Sequence, residues 1–173
     1  MKKILVVVDM QNDFISGSLG SDEAEDIVDK VAEKIKSYDK ENIYLTRDTH
    51  TEDYLGTNEG KHLPVIHCVK ESKGWQINKK IEEASEGAVI VDKPTFGSIE
   101  LANMIKEKCN KDAVEIEIVG VCTDICVISN ALILKAFMPE VKICVDSSCC
   151  AGVTPESHNM AIETMKMCQI DVI

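Results

Sequence analysis

Short aliphatic runs alternate along the chain with longer amphipathic stretches, and this alternation predicts strands that are followed by helices. Residues 4–8 form a continuous aliphatic run, which is the pattern of a strand buried on both faces of a parallel sheet. The other runs that predict strands lie at 42–46, 88–91, 114–119, 141–145 and 170–173.

The stretches between these runs predict helices. After Asp22, the apolar residues Ile27, Val31 and Ile35 recur on one stripe, as they do on the buried face of an amphipathic helix. The predicted helices begin at Asp22, span 99–109 and 126–137, and extend from Thr154 and Pro155 to about Cys168.

Strands that alternate with helices predict an α/β fold, in which right-handed crossovers build a parallel sheet. The 173 residues suit one domain, and no repeat or linker divides them, so a single domain over 1–173 is expected. Between 48 and 85 the chain is irregular yet contains three histidines and the only tryptophan. Loops of this length are usually functional or disordered, and the apolar and aromatic content favours a functional loop.

The net charge of −11 argues against nucleic acid or an anionic membrane surface as a partner. No apolar run is long enough to cross a bilayer, and the first run is too short for the apolar core of a signal peptide. We therefore expect a cytoplasmic protein, whose eight cysteines are reduced thiols rather than a disulfide framework.

Four polar residues of different types follow predicted strands, namely Asp9, Asp48, Lys93 and Cys126. Because ligands of parallel α/β sheets bind beyond the carboxyl ends of the strands, we expect these side chains to meet at one edge of the sheet. One charged residue at the end of a strand is common. Four such residues from separate segments indicate a site.

Cys126 is a candidate nucleophile. Thr123 and Asp124 are predicted N-cap residues, which would place Cys126 in the first turn of a helix, where the dipole lowers the pKa of a thiol. Partial burial would make Asp9 a proton acceptor, and Lys93 would stabilise the thiolate. The alternatives are that Cys126 is a small buried hydrophobic residue and that Asp9 and Lys93 form an ordinary ion pair.

A second candidate site is a set of metal ligands, Asp48, His50, Glu59 and His67. Asp48 and His50 are two apart in an extended segment, so their side chains point the same way. A mixed oxygen and nitrogen set suits Zn²⁺ first, with Fe²⁺ and Mn²⁺ as alternatives. The other interpretation is that these histidines are simply solvated. His62 has no matching partner, and His158 is expected on an exposed helix face; neither is given a role.

Three segments together resemble the signatures of the isochorismatase-like cysteine hydrolases. Their sequences are VDMQNDF at 8–14, DKPTFGS at 92–98 and GVCTDICV at 120–127. The segments TRDTH at 46–50 and PVIHC at 64–68 further resemble the metal-binding region of the nicotinamidases in that superfamily. These matches run in the right order over nearly the whole chain.

The resemblance implies a three-layer α/β/α, Rossmann-like fold around a six-stranded parallel sheet. It also implies a cysteine hydrolase that converts nicotinamide to nicotinate and ammonia through a thioester. The implied catalytic triad is Asp9, Lys93 and Cys126. A cis peptide between Val121 and Cys122 would direct the N–H groups of Cys122 and Cys126 into an oxyanion hole.

The resemblance places Phe14 and Phe96 in the pocket for the substrate ring, and it makes the partner a small-molecule amide. Pro64 stands where many nicotinamidases have an aromatic residue, and Trp75, a few residues later, is a candidate replacement. The choice of Glu59 as a ligand rests on its loop distance from His67. Assembly into a homo-oligomer is left open.

Two other functions remain open at this stage. The first is a metal-free amidase of the same superfamily, acting on a carbamoyl or ureido substrate; cleavage of isochorismate is disfavoured because it needs no thiol. The second is a non-catalytic α/β binding or redox module, in which Cys126 would have an ordinary thiol pKa.

Overall fold

A computed structural model describes residues 2–109 and 114–173, and its centre is a parallel sheet of six strands. Their order is β3-β2-β1-β4-β5-β6, so the chain starts in the middle and builds outward in both directions. The strands are β1 (Lys2–Val8), β2 (Ile43–Asp48), β3 (Val89–Lys93), β4 (Val114–Val121), β5 (Lys142–Ala151) and β6 (Asp171–Val172). All pairings are parallel.

Helices cover both faces of the sheet and complete the predicted three-layer α/β/α fold. They are α1 (Asn12–Ile15), α2 (Asp22–Asp26), α3 (Val28–Lys36), α4 (Asn58–His62), α5 (Lys79–Ala84), α6 (Ile99–Cys109), α7 (Ile128–Phe137) and α8 (Pro155–Met167). None of the helices in the part of the chain that the structure describes is both long and apolar enough to cross a membrane.

The core lies in two layers because successive side chains of a strand point to opposite faces. Ile4, Val6 and Val8 of β1 pack with residues of α6, α7 and α8, whereas Leu5 and Val7 pack with residues of α1 to α3 and α5. All five side chains are completely buried. Burial of each contributes about 1.5–3 kcal/mol, which explains the continuous aliphatic run in the sequence.

Two predicted elements differ from the structure. The single helix expected after Asp22 is two helices, because the chain breaks at Ile27, which ends α2 and precedes α3. The break allows Ala24, Ile27 and Val28 all to be buried. Strand β5 continues well beyond Asp146. The register between β4 and β5 shifts between Ile118 and Gly120 of β4, and the two strands pair again after the shift.

The irregular region after β2 is folded against the loop that follows β1. The backbone N–H groups of Asn12 and Asp13 donate to the carbonyl oxygens of Gln76 and Gly74 over 3.0 Å each, and Asn78 N–H donates to Met10 O over 2.9 Å. These bonds fix the long connection at the edge of the sheet where β1 ends.

Gly120 brings β1 and β4 together at the same edge. Its φ of 117° lies in the left-handed region that favours glycine, and a Cβ atom there would overlap the carbonyl oxygen of Val8. The register pairs Val8 with Gly120, so this tight contact lies one residue before Asp9.

Candidate active site

The carboxyl ends of four neighbouring strands bring the predicted site residues together. Asp48 and Lys93 are the last residues of β2 and β3 and are paired in register. Asp9 follows β1 directly, and Cys126 lies in the turn after β4. The expected convergence at one edge of the sheet is therefore present, and all four side chains are buried.

Lys93 stands at the centre of the nucleophile cluster. Its Nζ lies 2.7 Å from Asp9 Oδ2, 3.5 Å from Cys126 Sγ and 3.5 Å from Asp48 Oδ1. Only 1% of the lysine is exposed. A buried ammonium requires such compensation, because an unpaired charge in the interior is strongly disfavoured.

Burial and the neighbouring charges act in opposite directions on the pKa values of Asp9 and Lys93. Burial raises the pKa of Asp9 above its ordinary value, the Lys93 charge opposes this rise, and the nearby Asp48 adds to it. Thr46 Oγ1 donates to Asp9 Oδ1 over 2.6 Å and fixes the carboxyl group. Burial alone would lower the pKa of Lys93, but the charges of Asp9 and Asp48 outweigh it and hold the ammonium protonated.

The prediction of a lowered thiol pKa is wrong for this resting geometry. Burial raises the pKa of Cys126 well above its ordinary value, and the Asp9 charge adds to that rise while Lys93 opposes it. Cys126 is therefore a thiol at rest, beside a carboxylate with a raised pKa. Such a pair can transfer a proton as the sulfur attacks, without a standing thiolate.

The turn that carries Cys126 also differs from the predicted helix start. Thr123–Val127 form a π-helical turn, and α7 begins only at Ile128. Thr123 and Asp124 are not N-cap residues, because the Thr123 side chain bonds to α8 and the Asp124 side chain bonds to the β5–α8 connection. Thr123 Oγ1 is 2.8 Å from His158 Nδ1, and Asp124 Oδ1 accepts from Val153 N–H over 3.1 Å.

His158 is consequently half-buried rather than exposed as predicted. Burial lowers its pKa below the ordinary value of histidine, against the opposing charge of Asp124. All eight cysteines lie within the described residues and are free thiols, as expected. The Val121–Cys122 peptide is cis, as the resemblance implies.

The four predicted metal ligands form one cluster beside Lys93. One donor atom from each of Asp48, His50, Glu59 and His67 lies within 4.8 Å of all the others. His50 Nε2 is 2.9 Å from Asp48 Oδ2 and 3.6 Å from Glu59 Oε1, and His67 Nε2 is 3.6 Å from Asp48 Oδ2. Burial would raise the pKa of Asp48, but the adjacent side chains of His50 and His67 and the charge of Lys93 hold it well below its usual range.

The donor set fits a divalent cation. His50 Nε2 is buried and makes no hydrogen bond of acceptable geometry in the part of the chain described. His67 Nδ1 lies 2.8 Å from Val65 O, which leaves Nε2 of that ring to face the cluster. Two imidazoles and two carboxylates are a common set for Zn²⁺ and related ions.

Two residues that the sequence did not single out pack against these four proposed metal ligands. Gln11 Oε1 accepts from Asp48 N–H over 2.6 Å, and Gln11 Nε2 donates to Asp48 O and to Trp75 O over 2.9 Å each. The Tyr54 ring lies 4.6 Å from the His50 ring and 4.9 Å from the His67 ring. The available signal for Gln11 is its place three residues after a buried strand. Tyr54, in the irregular region, had no comparable signal.

Asn130 is a third residue that the sequence did not single out. Its amide binds the backbone of Cys126, Phe96 and Ser98 from inside the protein. The available signal is a lone amide in the mostly apolar sequence of α7.

The aromatic residues divide into two groups. Phe14 is buried at the edge of the site with its ring 5.5 Å from that of His67, and Phe96 is 45% exposed on the loop after β3. Trp75 has other partners: the Arg47 guanidinium lies 3.7 Å from its ring centroid, and its indole N–H donates to Thr49 Oγ1. Arg47 points to the face of the sheet opposite the Asp48 side chain, and the Trp75 ring packs on Arg47. This geometry therefore does not support Trp75 as the replacement for the aromatic residue expected at position 64.

Comparison with known proteins identifies the family of this chain. The family described as Isochorismatase domain matches residues 3–173 of the chain. The chain belongs to the isochorismatase family. Among its relatives, a nicotinamidase of Saccharomyces cerevisiae is 28% identical over 214 residues, with 99% of each chain covered. A nicotinamidase/pyrazinamidase of Mycobacterium tuberculosis is 24% identical, with 99% of this chain and 98% of that protein covered.

A solved structure extends the similarity to three dimensions. The pyrazinamidase of Pyrococcus horikoshii in complex with zinc superposes with a TM-score of 0.79 and 29% sequence identity. The match covers 100% of this isochorismatase-family chain and 99% of the other chain. The fold predicted from alternating strands and helices is therefore confirmed.

Proposed function

We propose that this protein is a nicotinamidase, which hydrolyses nicotinamide to nicotinate and ammonia. One observation carries the proposal: the same lysine contacts both the nucleophile cluster and the metal set. Lys93 Nζ lies 3.5 Å from Cys126 Sγ and 3.5 Å from Asp48 Oδ1. A carboxamide on a nitrogen-containing ring has its reactive carbon and its ring nitrogen a few ångströms apart, which matches two adjacent centres. Similarity to nicotinamidases over the full length supports the same conclusion.

The first half of the reaction follows from the cluster. Asp9, whose pKa is raised by burial, accepts the thiol proton as Cys126 Sγ attacks the carboxamide carbon. The N–H groups of Cys122 and Cys126 donate to the oxyanion that forms. Asp9 then gives the proton to the amide nitrogen, the C–N bond breaks, and ammonia leaves a thioester on Cys126. The Lys93 ammonium stabilises both the buried carboxylate of Asp9 and the negative charge that develops on the sulfur of Cys126.

The second half uses the same groups in the same positions. Asp9 removes a proton from water, the hydroxide oxygen attacks the thioester carbon, and the two N–H groups again receive the oxyanion. The C–S bond breaks, nicotinate leaves, and Cys126 takes the proton back. Phe14 and Phe96 are proposed to contact the substrate ring.

Asp48, His50, Glu59 and His67 are the proposed ligands of a divalent ion, with Zn²⁺ first and Fe²⁺ or Mn²⁺ as alternatives. A bound ion would supply a Lewis-acidic contact for the ring nitrogen of the substrate. A metal-free amidase for carbamoyl or ureido substrates has no use for four converging donors, so the geometry favours the nicotinamidase.

Release of ammonia from nicotinamide by purified protein tests this function. We expect turnover that is lost after treatment with a chelator and restored by added zinc. Hydrolysis of a ureido substrate that is insensitive to the chelator, with nicotinamide left intact, would replace the nicotinamidase with the metal-free amidase. Failure of both substrates would favour the non-catalytic module.

A further inference from the structure

Asn130 is a completely internal amide that links two loops of the site. It is 1% exposed and lies on the first turn of α7, four residues after Cys126. Its Nδ2 donates to Cys126 O over 2.8 Å and to Phe96 O over 3.2 Å, and its Oδ1 accepts from Ser98 N–H over 2.9 Å. Both of its donor hydrogens and its acceptor are therefore used, all by backbone groups.

The bonds to Phe96 and Ser98 lie on either side of Gly97. This glycine is packed directly on α7, because a Cβ atom at position 97 would overlap the side chain of Ile133. The loop after β3 is thus pressed onto α7 and held there at two backbone positions by one side chain. The same loop accepts a hydrogen bond from Lys93 Nζ at Thr95 O over 3.2 Å.

The bond to Cys126 O joins this loop to the nucleophile turn. The π-helical turn at Thr123–Val127 departs from regular helical bonding, so an additional bond from a side chain limits its freedom. One rigid amide thus fixes the backbone of the sulfur-bearing residue relative to the loop that carries Phe96. Small errors in such placement are costly, because attack needs the reacting atoms at near-contact distance.

We propose that Asn130 is a positioning residue, which sets Cys126 against the Phe96 loop for attack on the substrate. This inference rests on the proposed function for its substrate but not for its geometry. It predicts two separable effects: the bond to Cys126 O controls the reactivity of the thiol, and the bonds to Phe96 and Ser98 control binding of the substrate ring.

Two substitutions separate these effects. Asn130→Asp keeps the acceptor for Ser98 N–H but loses both donations of Nδ2. Asn130→Thr keeps a donor for Cys126 O, because a threonine can bond back four residues within a helix, as Thr164 does to Met160 O over 2.8 Å in this protein. The threonine hydroxyl is too short to reach Phe96 and Ser98 as well. Asn103→Asp, an exposed change of the same type on α6, is the matched control.

The test measures alkylation of Cys126 by iodoacetamide in zinc-loaded protein at one fixed pH, with peptide mass spectrometry to resolve the eight cysteines. We expect Asn130→Asp to slow alkylation and to lower kcat about tenfold or more. Asn130→Thr should stay within about twofold of the wild type in alkylation and in kcat, and should raise KM for nicotinamide about threefold or more. Asn103→Asp should change none of these values.

Equal alkylation rates in all folded variants would overturn the proposal. So would losses in both variants that follow their melting temperatures, since a merely structural role predicts that pattern. If Asn130→Asp does not fold, Asn130→Ala replaces it, and alkylation as fast as in Asn130→Thr would then refute the role. If wild-type protein does not hydrolyse nicotinamide, the proposed function fails while the alkylation rates still decide the role of Asn130.

Discussion

Two lysines of this protein each stand between two carboxylates, and the two centres differ in what else they contact. Lys93 lies between Asp9 and Asp48 at the carboxyl edge of the sheet. Lys34 of α3 lies 2.7 Å from Glu117 Oε1 and 2.7 Å from Asp146 Oδ2, over the face of β4 and β5. The charge pattern alone does not distinguish them.

The surroundings do distinguish them. At the Lys34 centre the remaining carboxylate oxygens have simple partners: Tyr38 OH donates to Glu117 Oε2 over 2.5 Å, and Ser148 Oγ donates to Asp146 Oδ1 over 2.7 Å. The Lys34 side chain is 24% exposed, against 1% for Lys93. The Lys93 centre adds a thiol and a set of metal donors. In this protein, a lysine between two carboxylates therefore indicates a catalytic site only where a further reactive group, such as a thiol, lies beside it.

The largest contrast is expected between the two buried cysteines that accompany these centres. Cys126→Ala should lower turnover of nicotinamide by at least about 10³-fold, because it removes the nucleophile while leaving the charges in place. Cys144→Ala, next to Glu115 in the Lys34 region, should leave kcat within about twofold. Ammonia release measures both, and retained activity in Cys126→Ala would refute the mechanism.

The two lysines should differ in their contribution to stability. Lys93→Met leaves two carboxylates buried without compensation and should lower the free energy of unfolding by about 3–5 kcal/mol. Lys34→Met should cost about 1–2 kcal/mol, because this centre is partly open to water. Urea denaturation compares them. Equal losses would mean that the difference in burial has no energetic consequence.

Metal binding at the ligands beside Lys93 should raise the free energy of unfolding of the protein. With zinc at about 100 times its dissociation constant, we expect the wild type to gain about 2.7 kcal/mol, which is seen as a rise of several degrees in Tm. Asp146→Asn should show the same rise, whereas His50→Ala should show little or none. A rise that persists in His50→Ala would place the ion elsewhere.

The smallest expected effect is a dependence on pH at the Lys34 centre. Burial raises the pKa of Asp146, but hydrogen bonds from Lys34 and Ser148 outweigh it and hold the pKa below its ordinary value of 3.8. Because the folded state binds this proton less readily than the unfolded state, Asp146 stabilises the fold above its unfolded pKa, and the contribution is lost as the pH falls through the folded pKa.

Asp146→Asn should therefore be less stable than the wild type by about 1 kcal/mol at neutral pH, and the difference should shrink below about pH 4. Urea denaturation at a series of pH values measures this. A difference that is constant with pH would show that it does not arise from the carboxylate charge.

The parts of the site that follow buried strands were predictable from sequence. Asp9, Asp48 and Lys93 come at or just after the ends of predicted strands, and a parallel sheet brings such ends to one edge whatever the connections between them. Glu59 was chosen by loop distance alone, and its donor atom does lie with those of the other three proposed ligands. The roles of these residues in catalysis and metal binding remain predictions.

The features that sequence could not supply depend on contacts between distant segments. The thiol pKa was predicted from a helix start, but burial and the neighbouring Asp9 dominate it. Thr123 and Asp124 are residue types common at helix caps, yet they bond to α8 and to the β5–α8 connection instead. Asn130 acts across 34 residues of sequence to reach Phe96. Local patterns do not contain these distances.

The glycine that brings β1 against β4 has a consequence for how this chemistry can diversify. Even a methyl group at position 120 would overlap the Val8 backbone, one residue before the carboxylate that faces the sulfur. The distance between the Asp9 carboxyl group and the Cys126 thiol cannot be increased in small steps by enlarging residue 120, because even a methyl group there overlaps the Val8 backbone. Variation in substrate is therefore expected to arise in the surrounding loops, while this strand pair stays fixed.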